Sequence, residues 1–361
     1  MAGFYRNGSD QESRGADTLG RSIMKLSVVI STWNRQAKVL DTLRCLVNQT
    51  LPCDDYEIIV VDNGSETPIT LQEIDTNIAI CLIRFEENQE RSVARTIGVE
   101  AARGEVLLFS DDDLGMEGDF LVQHLQAQQE WPGAMVIGRI LLPPESLGRP
   151  GIRFRQQLEL DGTPNIKGIV DKDNFGTAAN MSINREWYLK LEGFDPQLAG
   201  IEDQDFALRH TSAGGKIVYL PEAIAIHYDD WLEFPAFCRR QEFASTLTVA
   251  LSHRYPERAE NQHRWKINGP VQWGKEPLTQ TIRKLLKIAL GASPGWAGTM
   301  MVISILEKLL PHSKGLDRLY KLALGIRIFQ GYRAGLSQYG IPLPYLQPKQ
   351  RLIATDTARQ G

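Results

Sequence analysis

Three consecutive aspartates stand at the end of an apolar run. They lie in the stretch EVLLFSDDDLG, residues 105–115, and Asp111, Asp112 and Asp113 repel one another unless water, a cation or a phosphate-bound metal relieves them. If the segment stays extended, Asp111 and Asp113 point to the same side, since side chains alternate along a strand. Two such carboxylates can share Mg²⁺ or Mn²⁺, because hard divalent cations take oxygen ligands together with substrate phosphates. The alternative is a solvated acidic turn.

Polar residues also follow two earlier apolar runs. Thr32, Asn34 and Arg35 come at and after the end of LSVVIST, and Asp62 ends EIIVVD. Asp62 could accept hydrogen bonds from a nucleoside base or ribose, or it could form an Asx turn with the Asn-Gly pair that follows. The alternative for Asn34 and Arg35 is a helix cap beside a solvated arginine.

Two arginines are spaced for one helix face. Arg91 and Arg95 lie four residues apart, between the third apolar run and the aspartates. The forked donors of arginine suit a diphosphate, although a lone pair of arginines is often a solvated surface.

Two further candidates lie later in the chain. Asp203, in IEDQDFALRH, could be a general base that takes a proton from an acceptor hydroxyl, or a carboxylate favoured at a helix start. In the same stretch Asp205 and Arg209 are expected to form a surface ion pair. His227, which ends the run AIAIH, could be a third metal ligand, a donor to the leaving phosphate, or a structural histidine.

The elements that position these residues alternate. Apolar runs predict strands over residues 26–32, 56–65, 78–88 and 105–110, and helical spacing predicts helices over 34–50 and 92–104. Alternation of this kind indicates a mostly parallel, doubly wound α/β sheet. Ligands bind such sheets beyond the carboxyl ends of the strands, near the reversal in strand order. The sequence has no G-x-G-x-x-G after the first strand and no P-loop, which argues against dinucleotide oxidoreductases and P-loop NTPases.

Five motifs in order carry a family resemblance. The stretches SVVISTWNR, IIVVDNGS, ENQERSVARTIGVEAARGEVLLFSDDDL, NMSINREWYLKLEGFD and IEDQDFALR resemble the family 2 glycosyltransferases over about residues 25–230. The resemblance implies a GT-A fold and inverting transfer of a sugar from a nucleotide donor. It also implies that Asp111 and Asp113 are the D-x-D metal pair and that Asp203 is the general base. The residues expected to bind the nucleotide sugar are Thr32, Asn34, Asp62, Arg91, Arg95 and Asp112.

The sequence departs from the family pattern in two places. Arg95 lies in ARTIG, where Thr96 replaces the asparagine of the family's A-R-N-x-G stretch. The Q-x-x-R-W motif of processive synthases is absent, and FCRRQEFA is only a loose echo of it. Single or limited transfer is therefore expected.

The C-terminal third has a different character. Residues 254–361 carry 17 Lys and Arg against 6 Asp and Glu, a balance of +11, which leaves −15 for residues 1–253. Helices are predicted over 280–291, 296–310 and 315–336; the apolar stretch 296–310 is shorter than the ~20 residues that a membrane-spanning helix needs. The region is interpreted as a helical subdomain packed on the core, as a peripheral anchor on an anionic membrane, or as both.

The predicted organisation has four parts. Residues 1–24 form a disordered lead-in without a signal peptide, 25–235 the GT-A domain, 236–340 a basic amphipathic helical region and 341–361 a flexible tail. The four cysteines show neither metal-ligand spacing nor a disulfide framework, which fits a reducing compartment. The expected location is the cytoplasm, with the basic C-terminal region making the protein peripheral on the inner face of the cell membrane.

The expected partners are a nucleotide-sugar donor and a sugar or lipid-linked acceptor. Nucleic acid is excluded because the basic residues lie among aliphatic helices, without stacking aromatic residues. Two alternatives remain: a nucleotidyltransferase of similar fold, weakened by the missing glycine-rich loop, and an inactive membrane-associated binding module.

Overall fold

The computed structural model describes residues 3–6, 24–163, 166–170 and 175–345. The chain divides into two compact units. The sheet unit comprises Met1–Ser146 and Gln156–Trp231, and the helical unit comprises Leu147–Arg155 and Leu232–Gly361. The change at Trp231 lies close to the boundary predicted at residue 235, whereas the assignment of residues 147–155 to the helical unit was not predicted.

Among the residues that the structure describes, ten strands form the sheet of the sheet unit. They are β1 Gly3–Arg6, β2 Leu26–Thr32, β3 Tyr56–Asp62, β4 Ala79–Arg84, β5 Val106–Ser110, β6 Leu114–Met116, β7 Met135–Leu141, β8 Gly168–Ile169, β9 Asn180–Asn184 and β10 Ile217–His227. Their order is β1-β4-β3-β2-β5-β9-β7-β10-β6, and β8 pairs with β10.

The four predicted strands form the parallel centre of this sheet. β4, β3, β2 and β5 are parallel neighbours, and every residue of β3 is buried, as expected for a strand covered on both faces. The chain runs from β2 through β3 to β4 on one side and then returns to place β5 on the other side of β2. The strand order therefore reverses between β2 and β5, where the aspartates begin.

Helices cover both faces of the sheet. In the sheet unit they include α1 Gln36–Val47, α2 Arg91–Ala101, α3 Phe120–Glu130, α5 Arg185–Lys190 and α6 Glu202–Ser212, and α4 Pro150–Gly162 crosses the division between the units. α1 and α3 share one apolar core with Val28 and Ile30, and α2, α5 and α6 share the other with Val29. Gly98 lets α2 approach closely, since a Cβ there would lie 2.5 Å from Val29 Cγ1.

Three details differ from the sequence prediction. The predicted disordered lead-in, 1–24, contains β1, which pairs antiparallel with β4; an edge strand offers free backbone donors and acceptors to such a segment. The remainder, 1–2 and 7–23, lies outside the described residues. The predicted helix 92–104 ends at Ala101 because Ala102 is extended. β6, directly after the aspartates, was not predicted.

The described part of the helical unit continues with five helices. They are α7 Phe234–Arg254, α8 Ala259–Asn268, α9 Leu278–Gly291, α10 Ser293–Leu309 and α11 Lys314–Tyr339, so the three predicted helices are present with longer bounds. α7 and α11 pack closely at Gly331, where a Cβ would collide with the Glu242 carbonyl oxygen. Of the predicted flexible tail, Leu343–Tyr345 forms a 3₁₀ turn, and residues 346–361 lie outside the described residues.

No helix among the described residues is by itself long and apolar enough to cross a bilayer. By length and composition alone, α9 and α10 pass as a pair, with an 88° bend between them.

Candidate active site

Two aspartates and a histidine converge at the carboxyl end of β5. The Asp111–Asp113 segment is a turn between β5 and β6 and does not stay extended, but the turn still brings Asp111 and Asp113 together. β6 pairs antiparallel with β10, with Leu114 opposite His227. His227 Nε2 consequently lies 3.0 Å from Asp113 Oδ1 and 3.9 Å from Asp111 Oδ2. One ligand atom from each of the three residues lies within 4.8 Å of the other two.

This donor set fits a divalent cation. Two carboxylates and an imidazole are ligands that such ions accept. Burial opposes the charged form of His227, but the hydrogen bond to Asp113 and the nearby aspartates raise its pKa overall. Burial likewise opposes the charge of Asp113, yet the hydrogen bond and charge of His227 hold the pKa of this carboxyl below its usual value. The two groups are therefore held as a charged pair, in the place where a cation would satisfy both carboxylates.

Asp112 points away from this cluster. Its Oδ2 accepts a hydrogen bond of 2.7 Å from Thr32 Oγ1, and its Oδ1 one of 3.1 Å from Arg35 Nη1. The same Arg35 nitrogen lies 2.9 Å from Asp113 Oδ2. Burial is the main reason that the pKa of Asp112 is raised. Arg35 and Thr32 thus fix the middle of the aspartate turn to the end of β2.

Arg95 links the turn to helix α6. Arg95 is 2% exposed, and its guanidinium lies 3.0 Å from Asp111 Oδ1, 2.9 Å from Glu202 Oε1 and over the Phe194 ring. As placed, Arg95 is engaged by two carboxylates of the protein. Its expected contact with the nucleotide sugar stays a prediction.

Arg91 is one helical turn earlier on α2 and differs from Arg95. Its side chain is exposed, and the negative charge of Asp111 is the main reason that its pKa is raised. Glu202, Asp112 and Asp203 act on Arg91 in the same direction. Arg91 therefore offers a charged guanidinium beside the acidic cluster, in reach of solvent.

Asp203 has the most perturbed carboxyl group of the site. Burial, followed by the charge of Glu202, raises its pKa to about 7 from an ordinary 3.8. Arg95 and backbone N–H groups, including that of Gln204 at 2.8 Å, oppose this rise. The 176–180 loop packs here, and the backbone N–H of Ala178 also bonds to Asp203. A carboxylate with a pKa near neutrality can accept a proton from a hydroxyl and retain it.

Asn34 and Asp62 hold a loop beside β2 and β3. Asp62 is fully buried and accepts hydrogen bonds from the Ser65 and Ile69 backbone N–H groups, at 2.9 and 3.1 Å, and from Arg84. Asn34, at φ +56°, accepts one of 2.8 Å from the Glu66 backbone N–H. These two residues therefore bind the backbone of the 63–69 loop and do not belong to the acidic cluster. Contact with a nucleoside stays a prediction for both.

Comparisons with known proteins agree with this geometry. Residues 27–191 match the family described as glycosyl transferase family 2. Residues 27–191 are therefore a glycosyl transferase family 2 domain. An uncharacterized glycosyltransferase of Haemophilus influenzae is 27% identical over 62% of this chain and 72% of its own length. The glucosyl-dolichyl phosphate glucuronosyltransferase of Haloferax volcanii is 23% identical over 59% of this chain and 74% of its own length. The protein is a glycosyltransferase.

A solved structure shares its fold. The mannosyltransferase PcManGT of Pyrobaculum calidifontis, in complex with GDP-Man and Mn²⁺, aligns with a TM-score of 0.57 at 16% identity, over 84% of this chain and 85% of that one. At this identity the likeness concerns the fold alone. The predicted GT-A architecture with a helical C-terminal region is confirmed.

Sequence reasoning missed two functional neighbours in this glycosyltransferase. Arg35 was weighed as a functional residue or as a solvated arginine, but its pairing with two aspartates was not predicted. Glu202 was not among the predicted site residues, yet it is buried against Arg95. The available signal was position, since Arg35 lies three residues after β2 and Glu202 lies directly before Asp203.

One expected pairing lies in a different environment. Asp205 and Arg209 do pair, at 2.8 Å, but Asp205 is completely buried, so this is no surface ion pair. Arg209 also donates to the Gly193 carbonyl oxygen, at 2.6 Å, so the pair anchors α6 to the preceding loop.

Proposed function

We propose that this glycosyltransferase transfers a sugar from a nucleoside-diphosphate sugar to an acceptor hydroxyl with inversion, in the assembly of a cell-surface polysaccharide or glycolipid. The observation that carries the proposal is the convergence of Asp111, Asp113 and His227 at the carboxyl end of β5, where the strand order reverses. Sheets of this type bind their ligands at such a reversal.

The donor diphosphate is assigned to the acidic cluster and Arg91. Asp111, Asp113 and His227 would hold a divalent cation, Mg²⁺ or Mn²⁺, which when bound neutralises charge on the departing diphosphate. The exposed Arg91 guanidinium is suited to the same phosphates because its planar donors match their oxygens. Arg35 and Thr32 keep the aspartate turn in place by binding Asp112.

Asp203 is assigned the role of general base. Its pKa of about 7 lets it be deprotonated near neutral pH and still take up a proton. In a single displacement, the acceptor oxygen forms its bond to the anomeric carbon as the bond from that carbon to the diphosphate oxygen breaks. The hydroxyl proton passes to Asp203, and the configuration at the anomeric carbon inverts.

The acceptor class is proposed from the relatives. One of them is named as a glucuronosyltransferase of glucosyl-dolichyl phosphate, a lipid-linked sugar. An acceptor on a lipid carrier would fit the basic, apolar C-terminal region, and would place a cytoplasmic enzyme at the inner face of the membrane.

The first experiment is hydrolysis of a panel of nucleoside-diphosphate sugars by the purified protein. It is run with Mn²⁺, with Mg²⁺ and with chelator, and release of nucleoside diphosphate is measured. We expect slow release from one donor, abolished by chelator and by Asp113→Ala, while Asp41→Ala, at an exposed position of α1, leaves it unchanged. Release that persists in chelator and in Asp113→Ala would overturn the assignment of the cluster.

Inversion is tested separately on the transferred product. Once donor and acceptor are found, the anomeric configuration of the new linkage is read by NMR from its one-bond coupling. A product that retains the donor configuration would contradict the single displacement, and with it the role of Asp203 as base.

A further inference from the structure

Helix α9 buries polar side chains and exposes apolar ones. Its buried positions include Thr281 and Lys284, whereas Leu278, Ile282 and Leu286 are exposed, Leu278 at 72%. The exposed leucines and isoleucine follow the i, i+4, i+8 spacing of a single helix face. The buried lysine is accommodated because its Nζ donates to Glu276 Oε2 at 2.7 Å and to the Pro270 carbonyl oxygen at 3.0 Å.

Helix α10 extends the exposed apolar surface. Thr299 and Ile303 are its buried residues. Met301, Val302, Ile305 and Leu309 share another face and are exposed, Met301 at 67% and Leu309 at 70%. Soluble proteins seldom leave aliphatic faces of this kind on two successive helices without a partner to cover them.

The surroundings of these faces are basic. Residues 271–314 contain six Lys and Arg but only two acidic residues, Glu276 and Glu307. Glu276 is paired with Lys284, and Glu307 accepts a hydrogen bond of 2.5 Å from the Tyr320 hydroxyl. Arg283 and Lys308 are exposed, one on each helix. Trp273, just before α9, is 71% exposed, and tryptophan is enriched where protein meets the headgroup region of a membrane.

We propose that α9 and α10 dock on a bilayer containing anionic lipids and insert their exposed aliphatic residues at the boundary between headgroups and acyl chains. Two helices that meet at a short, 88° bend lie in one plane, which is the arrangement that a surface-bound pair requires. The basic residues beside the apolar faces complement lipid phosphates.

A second copy of the chain is a poorer partner. In a twofold-symmetric dimer each copy presents the same surface, so the basic residues of both copies would approach one another. The docking proposal does not depend on the identity of the donor or acceptor, and it is tested without either.

The test is flotation of the full-length protein with vesicles. One set contains phosphatidylcholine alone, and the other contains an equal mixture of phosphatidylcholine and phosphatidylglycerol. We expect the protein to float with the mixed vesicles, to do so less in high salt, and to stay largely unbound with phosphatidylcholine alone. Leu286→Glu/Leu309→Glu should reduce the bound fraction on mixed vesicles about tenfold or more.

The matched control is Leu189→Glu/Ile169→Glu, which changes two exposed apolar residues of the sheet unit and should bind as the unaltered protein does. Circular dichroism confirms that both double variants are folded. Absence of flotation with mixed vesicles, or equal flotation of Leu286→Glu/Leu309→Glu, overturns the proposal. The proposal is also overturned if the unaltered protein binds no vesicles and forms a dimer in analytical ultracentrifugation, and if Leu286→Glu/Leu309→Glu abolishes that dimer. Resistance to carbonate extraction, with one end of the α9–α10 pair protected from protease and the other end cleaved, would point to a spanning segment and would also overturn the proposal.

Discussion

The acidic site and helix α9 both break the rule that polar groups stay outside and apolar groups inside, and they do so in opposite directions. At the site, Asp112, Asp113 and Glu202 are buried and held by Arg35 and Arg95. In α9, a lysine is buried and the leucines are exposed. Burying charge without full compensation costs free energy, and exposing apolar surface forgoes stabilisation. The difference indicates what each region lacks: the site is complementary to a polar ligand, and the helix to an apolar surface.

The largest expected effect is on catalysis. Asp203→Asn should lower the transfer rate about a thousandfold, in the range that a general base contributes, while donor binding is retained. The same change removes a carboxylate that Glu202 repels, so the melting temperature should not fall. Steady-state kinetics and thermal unfolding of the one variant measure both. If Asp203→Asn lowers stability and activity together, Asp203 has a structural role and is not shown to be the general base.

Next in size is the loss of a buried partner. Arg95→Met leaves Glu202 buried without its cation, and should lower the free energy of unfolding by about 3 kcal/mol or more. Arg44→Met removes a surface cation paired with Asp41 and Glu73, and should change the free energy of unfolding by less than about 1 kcal/mol. Denaturant unfolding at low salt compares the two. Equal losses of unfolding free energy would mean that the buried ion pairs of the site contribute no more to stability than the surface ion pairs of Arg44.

The pH dependence sharpens the account of Asp203. Below its pKa of about 7 the base is protonated, so the transfer rate should rise about tenfold per pH unit and level off above that value. Because the folded pKa exceeds the ordinary 3.8, this group contributes stability at low pH that is lost as the pH rises through about 7. Unfolding of Asp203→Asn should therefore depend less on pH between about 5 and 8 than unfolding of the unaltered protein. A rate that stays flat from acid to neutral pH would exclude Asp203 as the titrating base.

The smallest effect is expected on the exposed face of α9. Leu286→Gln removes an apolar side chain that is 52% exposed, so the free energy of unfolding should change by less than about 0.5 kcal/mol. Denaturant unfolding measures it in the absence of lipid. A loss of about 2 kcal/mol would show that Leu286 packs within the protein and would remove the contrast with the site.

The sequence predicted the centre of the fold and much of the site for a simple physical reason. Short apolar runs without alternation, such as 26–32 and the beginning of 56–65, are typical of strands buried on both faces, and the polar residues that follow parallel strands gather at one edge of the sheet. Asp111 and Asp113 were identified in this way, whereas Asp203 was identified through the family resemblance. By contrast, no local pattern predicts the pairing of β6 with β10, because β6 has only three residues and its partner lies more than a hundred positions away.

Orientation was also beyond the local pattern. The sequence predicted a helix over 280–291 within a basic amphipathic region, but helical spacing alone could not say which face of α9 contacts the protein. Likewise, the spacing of Arg91 and Arg95 placed both on one side of α2, yet only the packing of Phe194 and Glu202 makes one arginine buried and leaves the other exposed.

The guanidinium shared between Asp111 and Glu202 has an evolutionary consequence. Loss of Arg95 leaves the buried Glu202 without its cation, at a cost of about 3–5 kcal/mol, in a chain whose whole margin of stability is on the order of 5–15 kcal/mol. We therefore expect positions 95 and 202 to be inherited as a pair. Among descendants of a common ancestor, we expect them to be kept together or replaced together, with intermediates that carry one change being rare.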